Sequence, residues 1–166
     1  MSPGPLNTMN REIAICFCLL LTVLRMSAYA LDPQKQAIID RYQAPFADYL
    51  KAIQALGTEL QAVKGESDVV KAADKFCDEA NKFVDAFNAN REAFKNSDLV
   101  KSMDEDPDAK KAVQDYMDNL KQKLQEAQPT FDSLIKNIEK YKNSSQIDRV
   151  RNRISATFQR IQLLYM

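Results

Sequence analysis

The chain contains no histidine and no tryptophan, and only three glycines and three cysteines among its 166 residues. The missing histidine removes most familiar chemistry at once. Ser-His-Asp and Cys-His nucleophilic sites are excluded, as are the usual zinc sites and the Glu-x-x-His pair of di-iron bundles. Haem attachment through Cys-x-x-Cys-His is excluded with them. A glycine-rich phosphate loop is also missing. Lysines and arginines number 23, as do aspartates and glutamates, for a formal net charge of +0. A chain so balanced has no basic footprint for nucleic acid.

Scarce glycine, with abundant Ala, Lys, Gln, Asp and Leu, favours long helices over sheets. The longest apolar run is short and lies near the start. Ile13 to Leu24 (IAICFCLLLTVL) spans twelve residues, against the roughly 20 that a membrane-spanning helix needs. Arg11 precedes it. Arg25-Met26-Ser27-Ala28-Tyr29-Ala30 follows, with Ala28 and Ala30 in the small-x-small spacing of a signal-peptidase site. The expectation is a signal peptide over residues 1–30, a mature chain beginning at Leu31, and no stable membrane span after cleavage. The protein is then periplasmic or secreted. Cys77 alone remains after cleavage, so no internal disulfide forms and stability rests on packing. Cys77 falls on an apolar stripe beside Phe76 and reads as a small buried hydrophobe.

The rest of the chain carries helical periodicity almost throughout. Asp32-Pro33 and Asp106-Pro107 are helix starts, with Asp as the cap and Pro in the first turn. The first stripe runs Ile38, Tyr42, Phe46, Tyr49, Ile53, Leu56, Leu60, Val63, in alternating steps of three and four from Phe46. Pro45 should kink this helix, and Gly65 should end it. Ser67 should cap a second helix, whose stripe is Val70, Ala73, Phe76 with Cys77, Ala80, Phe83 with Val84, Phe87 and Phe94. Asn90 falls where that stripe expects an apolar residue. It reads as the solvated end of the helix, with a buried, register-fixing amide as the other reading. A polar, acidic connection follows (NSDLVKSMDED), with a short turn around Leu99 to Met103.

A third stripe, Val113, Tyr116 with Met117, Leu120, Leu124, Ala127, Phe131, Leu134, Ile138 and Tyr141, passes Pro129 without losing phase, as one kinked helix would. After Asn143-Ser144-Ser145 comes a shorter fourth stripe of Ile147, Val150, Ile154, Phe158, Ile161 and Leu164. The fold expected is therefore all-α: an elongated antiparallel four-helix bundle running up-down-up-down, domain 31–166, with helices about 32–64, 67–95, 107–142 and 145–165. The fourth helix is too short to cover the others. The uncovered end should leave apolar side chains for a partner.

The candidate sites are few. Asp104, Asp106, Asp108 and Asp115 have some of the spacing of a calcium loop, but Ala109 stands where that loop needs glycine, so acids at a helix start are the simpler reading. Arg149, Arg151, Arg153 and Arg160 make the one local charge excess and a candidate partner-contact face. The aromatic side chains could instead line a pocket for a small apolar ligand. No catalytic, cofactor-binding or metal-binding set emerges. The layout is broadly similar to small periplasmic four-helix proteins; the haem-binding members need a histidine ligand that this chain lacks, so no function follows from the likeness. The expected function is non-enzymatic: an exported helical protein that binds a macromolecule, either a protein or a cell-envelope component. The alternative is a carrier of a small apolar ligand.

Overall fold

The computed structural model describes residues 31–95 and 97–165, Tyr165 in its backbone only. The expectations placed on residues 1–30, including cleavage at Ala28 and Ala30, lie outside the described residues. What is described is all-helical, with no strand.

Helix α1 covers Pro33–Gln61, α2 Glu66–Phe94, α3 Asp98–Met103, α4 Pro107–Glu126, α5 Gln128–Lys140 and α6 Ser145–Gln162, followed by a short 3-10 turn. The two Asp-Pro starts behave as their chemistry demands. The Asp32 carboxylate accepts from the Gln34 N–H at 2.7 Å. The Asp106 carboxylate accepts from Asp108 and Ala109 at 3.0 and 3.2 Å. Each satisfies N–H groups that the first helical turn leaves without partners. Ser144 caps α6 by accepting from Gln146.

The start of α2 differs from expectation. Gly65, not Ser67, is the cap residue, and its φ of −158° is extended backbone open to any residue. The cap works through Asp68, whose carboxylate reaches back to accept from the Lys64 and Gly65 N–H groups. The third stripe also differs, being divided into α4 and α5 at Ala127, two residues before Pro129. Proline removes an intrahelical donor and its ring crowds the preceding turn, which accounts for the break. The stripe keeps phase across it: Leu120, Leu134 and Ile138 are all buried.

The core is centred between α1 and α2, which run antiparallel as a helical hairpin. Phe46, Tyr49, Ile53, Leu56 and Leu60 face Val69, Ala73, Phe76, Ala80, Phe83 and Val84, all buried. Tyr49 stacks on Phe83 with ring centroids 4.8 Å apart, and Phe46 meets the same ring at 5.0 Å. Such pairs add roughly 0.5–1.5 kcal/mol beyond the area they bury. The other helices pack on this hairpin. Phe131 of α5 and Phe158 of α6 meet each other at 5.6 Å and both reach Phe76.

Neighbouring helices are not all antiparallel. Lys35 pairs with Asp106 at 2.6 Å, and the Tyr116 hydroxyl reaches the Gln43 carbonyl at 3.4 Å. Gly57 lies against Thr130. Those contacts advance together along both segments, so α4 and α5 run parallel to α1. In the same way Ser144 bonds to Glu66, Arg149 to Asp74 and Arg160 to Asp85, so α6 runs parallel to α2. The turn after α5 returns the chain on the α2 side of the hairpin, where the acids of α2 meet the arginines of α6.

Length then decides what stays open. Helix α2 has 29 residues and α6 has 18. Helix α6 follows α2 from Glu66 to about Asp85 and leaves the stretch to Phe94 without that neighbour. Val113 and Met117 of α4, expected in the core, are accordingly 41% and 38% exposed.

Candidate functional site

The four arginines of the candidate partner face do not stand free. Arg149 donates to Asp74 at 2.6 Å and Arg153 to the other oxygen of the same carboxylate at 2.8 Å. Arg153 also pairs with Asp78, and Arg160 with Asn81 and Asp85. Arg151 lies between Asp148 at 3.1 Å and Glu139 at 3.7 Å. The basic excess read from the fourth stripe alone is thus met by acids, chiefly those of α2, and it fastens α6 to α2. Burial tends to raise the Asp74 carboxyl, but the hydrogen bonds and charges of Arg153 and Arg149 outweigh it and hold the group below its ordinary value.

Beneath this ladder lies a small polar seam. Thr157 is buried and receives a hydrogen bond from the Asn81 amide at 3.3 Å. Cys77 is fully buried beside it, and burial pushes its thiol above the ordinary value despite the Thr157 hydroxyl and Arg153. A thiol held in that state is a poor nucleophile.

Among the described residues, no group of three or more histidine, cysteine, aspartate or glutamate side chains is placed to hold a metal ion. Asp106 serves as the α4 cap. The Lys35 hydrogen bond and the Ala109 and Asp108 N–H groups hold its carboxyl below the usual range. Residues that a calcium loop would need in an open turn, from Pro107 to Asp115, are helical instead.

The feature with the shape of a site is at the open end. The start of α1, the end of α2, α3 and the first half of α4 enclose a cleft of about 450 Å³, within the size range of small-ligand pockets. Its walls are mainly apolar: Ile38, Ile39 and Phe46 from α1, Phe87 from α2, Val100 and Met103 from α3, Val113 and Met117 from α4. Tyr42 stands in the wall between Phe87 and Phe94. Burial raises its hydroxyl above the ordinary value, against the pull of Arg91. The rim carries Asp104 and Lys110.

Compared with protein-family models, with characterised proteins and with solved structures, the chain matches none.

Two other depressions are less suited to a ligand. One, between α1 and α2, is walled by Asp48, Lys51, Glu79 and Lys82, which already pair within their own helices at 2.8 and 2.7 Å. The other is an open groove along α4, past Met117, Leu120 and Leu124. It continues the cleft, because Met117 borders both.

The sequence pointed to an uncovered apolar end through the short fourth stripe. It marked α3 as a short turn around Leu99 to Met103, without a part in any site. Val100 and Met103 are the residues by which this connection closes one side of the cleft. No helix of the described residues is long and apolar enough to cross a membrane.

Proposed function

We propose that this is an exported, non-enzymatic binding protein that carries a small apolar ligand in the cleft at the open end of a four-helix bundle. The bundle is the α1–α2 hairpin with α4–α5 laid along α1 and α6 along α2. The observation that carries the reading is the cleft itself. It has the volume of a ligand pocket, and its mainly apolar walls come from four helices. Burying an acyl or aryl group there would gain about 25 cal/mol for each Å² of apolar surface removed from water.

A macromolecular partner is the second reading. It is favoured by one observation: the exposed side chains Val113 and Met117 run on into the α4 groove, beyond the limits of a small pocket. The arginine ladder does not favour it, because those charges are paired within the fold.

The test is titration with an apolar fluorescent dye, 1-anilinonaphthalene-8-sulfonate, whose emission rises in apolar surroundings. Saturable one-to-one binding that is lost in Met103→Asp, with the melting temperature unchanged, supports the cleft. Binding that survives Met103→Asp but is lost in Leu124→Asp moves the working surface to the α4 groove and supports the second reading. Site-directed crosslinking from Leu124 would then identify what occupies it.

A further inference from the structure

The rim of the cleft holds two charges of opposite sign, and neither is used by the fold. Among the described residues, the Lys110 ammonium and the Asp104 carboxylate have no hydrogen-bond or ion-pair partner. The neighbouring charges differ in this respect. Asp106 is engaged by Lys35 and by the α4 backbone. Asp98 is paired with Lys101 at 3.0 Å. Arg41 is held by Asn90 and lies over the Phe94 ring. Of the charged side chains that line the cleft, Lys110 is thus a free donor and Asp104 a free acceptor, on either side of the α4 start, while Arg91 acts on Tyr42 from the end of α2.

A ligand whose apolar part fills the cleft must place its polar end at this rim. A head of a single negative charge would gain Lys110 and be repelled by Asp104. A positive head would meet the converse. A head carrying both charges can satisfy both groups at once. An uncharged head would leave the favourable contacts unused.

Resting on the cleft as the binding site, we propose that the ligand is a zwitterionic single-chain amphiphile, of the lysophospholipid class. Its acyl chain lies among Ile38, Phe46, Phe87, Met103 and Met117. Its phosphate faces Lys110 and its ammonium faces Asp104. The cleft volume of about 450 Å³ suits one acyl chain and not two.

Three twelve-carbon probes below their micellar concentrations decide the matter by calorimetric titration of the protein: dodecylphosphocholine, dodecanoate and dodecyltrimethylammonium. The proposal expects the zwitterion to bind at least tenfold more tightly than either singly charged probe. Lys110→Ala should erase the advantage over the cationic probe, and Asp104→Ala the advantage over dodecanoate. Both residues are exposed, so neither variant should change the melting temperature. If one of the singly charged probes binds as well as the zwitterion, the headgroup assignment is wrong while the apolar cleft stands. If none of the three binds, the cleft reading itself fails.

Discussion

The side-chain amide of Asn90 donates a 2.8 Å hydrogen bond to the backbone carbonyl of Arg41. That carbonyl lies four residues before Pro45, and proline has no N–H to give it. Asn90, on α2, thus supplies to α1 the donor that Pro45 removed. The contact is reciprocal, since Arg41 Nε donates to the side-chain Oδ1 of Asn90 at 3.1 Å. Asn90 is 8% exposed, so it is the buried amide and not the solvated helix end. Because one partner is a backbone atom at a fixed height on α1, the bond also sets the register of the hairpin.

This arrangement predicts a coupling. Asn90→Ala should cost about 1–3 kcal/mol by removing the donor that the Arg41 carbonyl has in place of the missing Pro45 N–H. In a Pro45→Ala background the residue 45 N–H returns, and the same Asn90→Ala change should cost less than half as much. Urea denaturation of the four proteins measures the cycle. Equal costs in the two backgrounds would show that Asn90 does not answer to Pro45.

The centre of the hairpin should be the least tolerant position. Phe83 is 3% exposed and sits between Tyr49 and Phe46. Phe83→Ala should destabilise the fold by roughly 3–5 kcal/mol through lost burial and the cavity left behind. A loss under about 1 kcal/mol in denaturant unfolding would place this ring outside the core.

The arginine ladder gives the protein an acid-sensitive clasp. The Asp74 carboxyl is held below its usual 3.8 by Arg153 and Arg149 against the effect of burial. A depressed folded value means that the unfolded chain binds the proton first. The stabilisation is therefore complete above the unfolded value and is lost as pH falls through the folded one. Thermal melts between pH 6 and pH 2 should show Asp74→Asn losing less stability on acidification than the parent chain. A parallel decline in both would dissociate Asp74 from the acid response.

The contact of α1 with α5 turns on a glycine. A Cβ at Gly57 would lie 3.1 Å from the Thr130 hydroxyl oxygen and 3.5 Å from its methyl carbon. Alanine in mid-helix is worth about 1 kcal/mol over glycine, but here crowding offsets it. Gly57→Ala should be near neutral alone and should stabilise by roughly 0.5–1 kcal/mol when Thr130 is already Ala. The same gain in both backgrounds would mean that Thr130 simply moves aside.

Export is tested at the terminus. Intact-mass measurement on the exported fraction of cells making the full chain should find a species that begins at Leu31. Recovery of the uncleaved chain from the cytoplasm would reject the Ala28–Ala30 site.

The helices and their buried stripes were legible in the sequence, because both depend on local spacing. Asp32 and Asp106 mark starts by capping chemistry, and the steps from Phe46 to Leu60 mark a buried face whatever lies opposite. The uncovered end was legible too, since a short last stripe cannot span a long hairpin. What lies opposite was not. Val113 and Met117 have the same spacing as Leu120, and only the reach of α6 decides that they are exposed. The arginines looked like a free face because their acids, Asp74, Asp78 and Asp85, lie more than sixty residues earlier and meet them only once α6 runs parallel to α2. The partner of Asn90 was hidden for the same reason: Pro45 announces an unpaired carbonyl, but which side chain answers it is set by the register of two helices, and that register is a property of the packed structure.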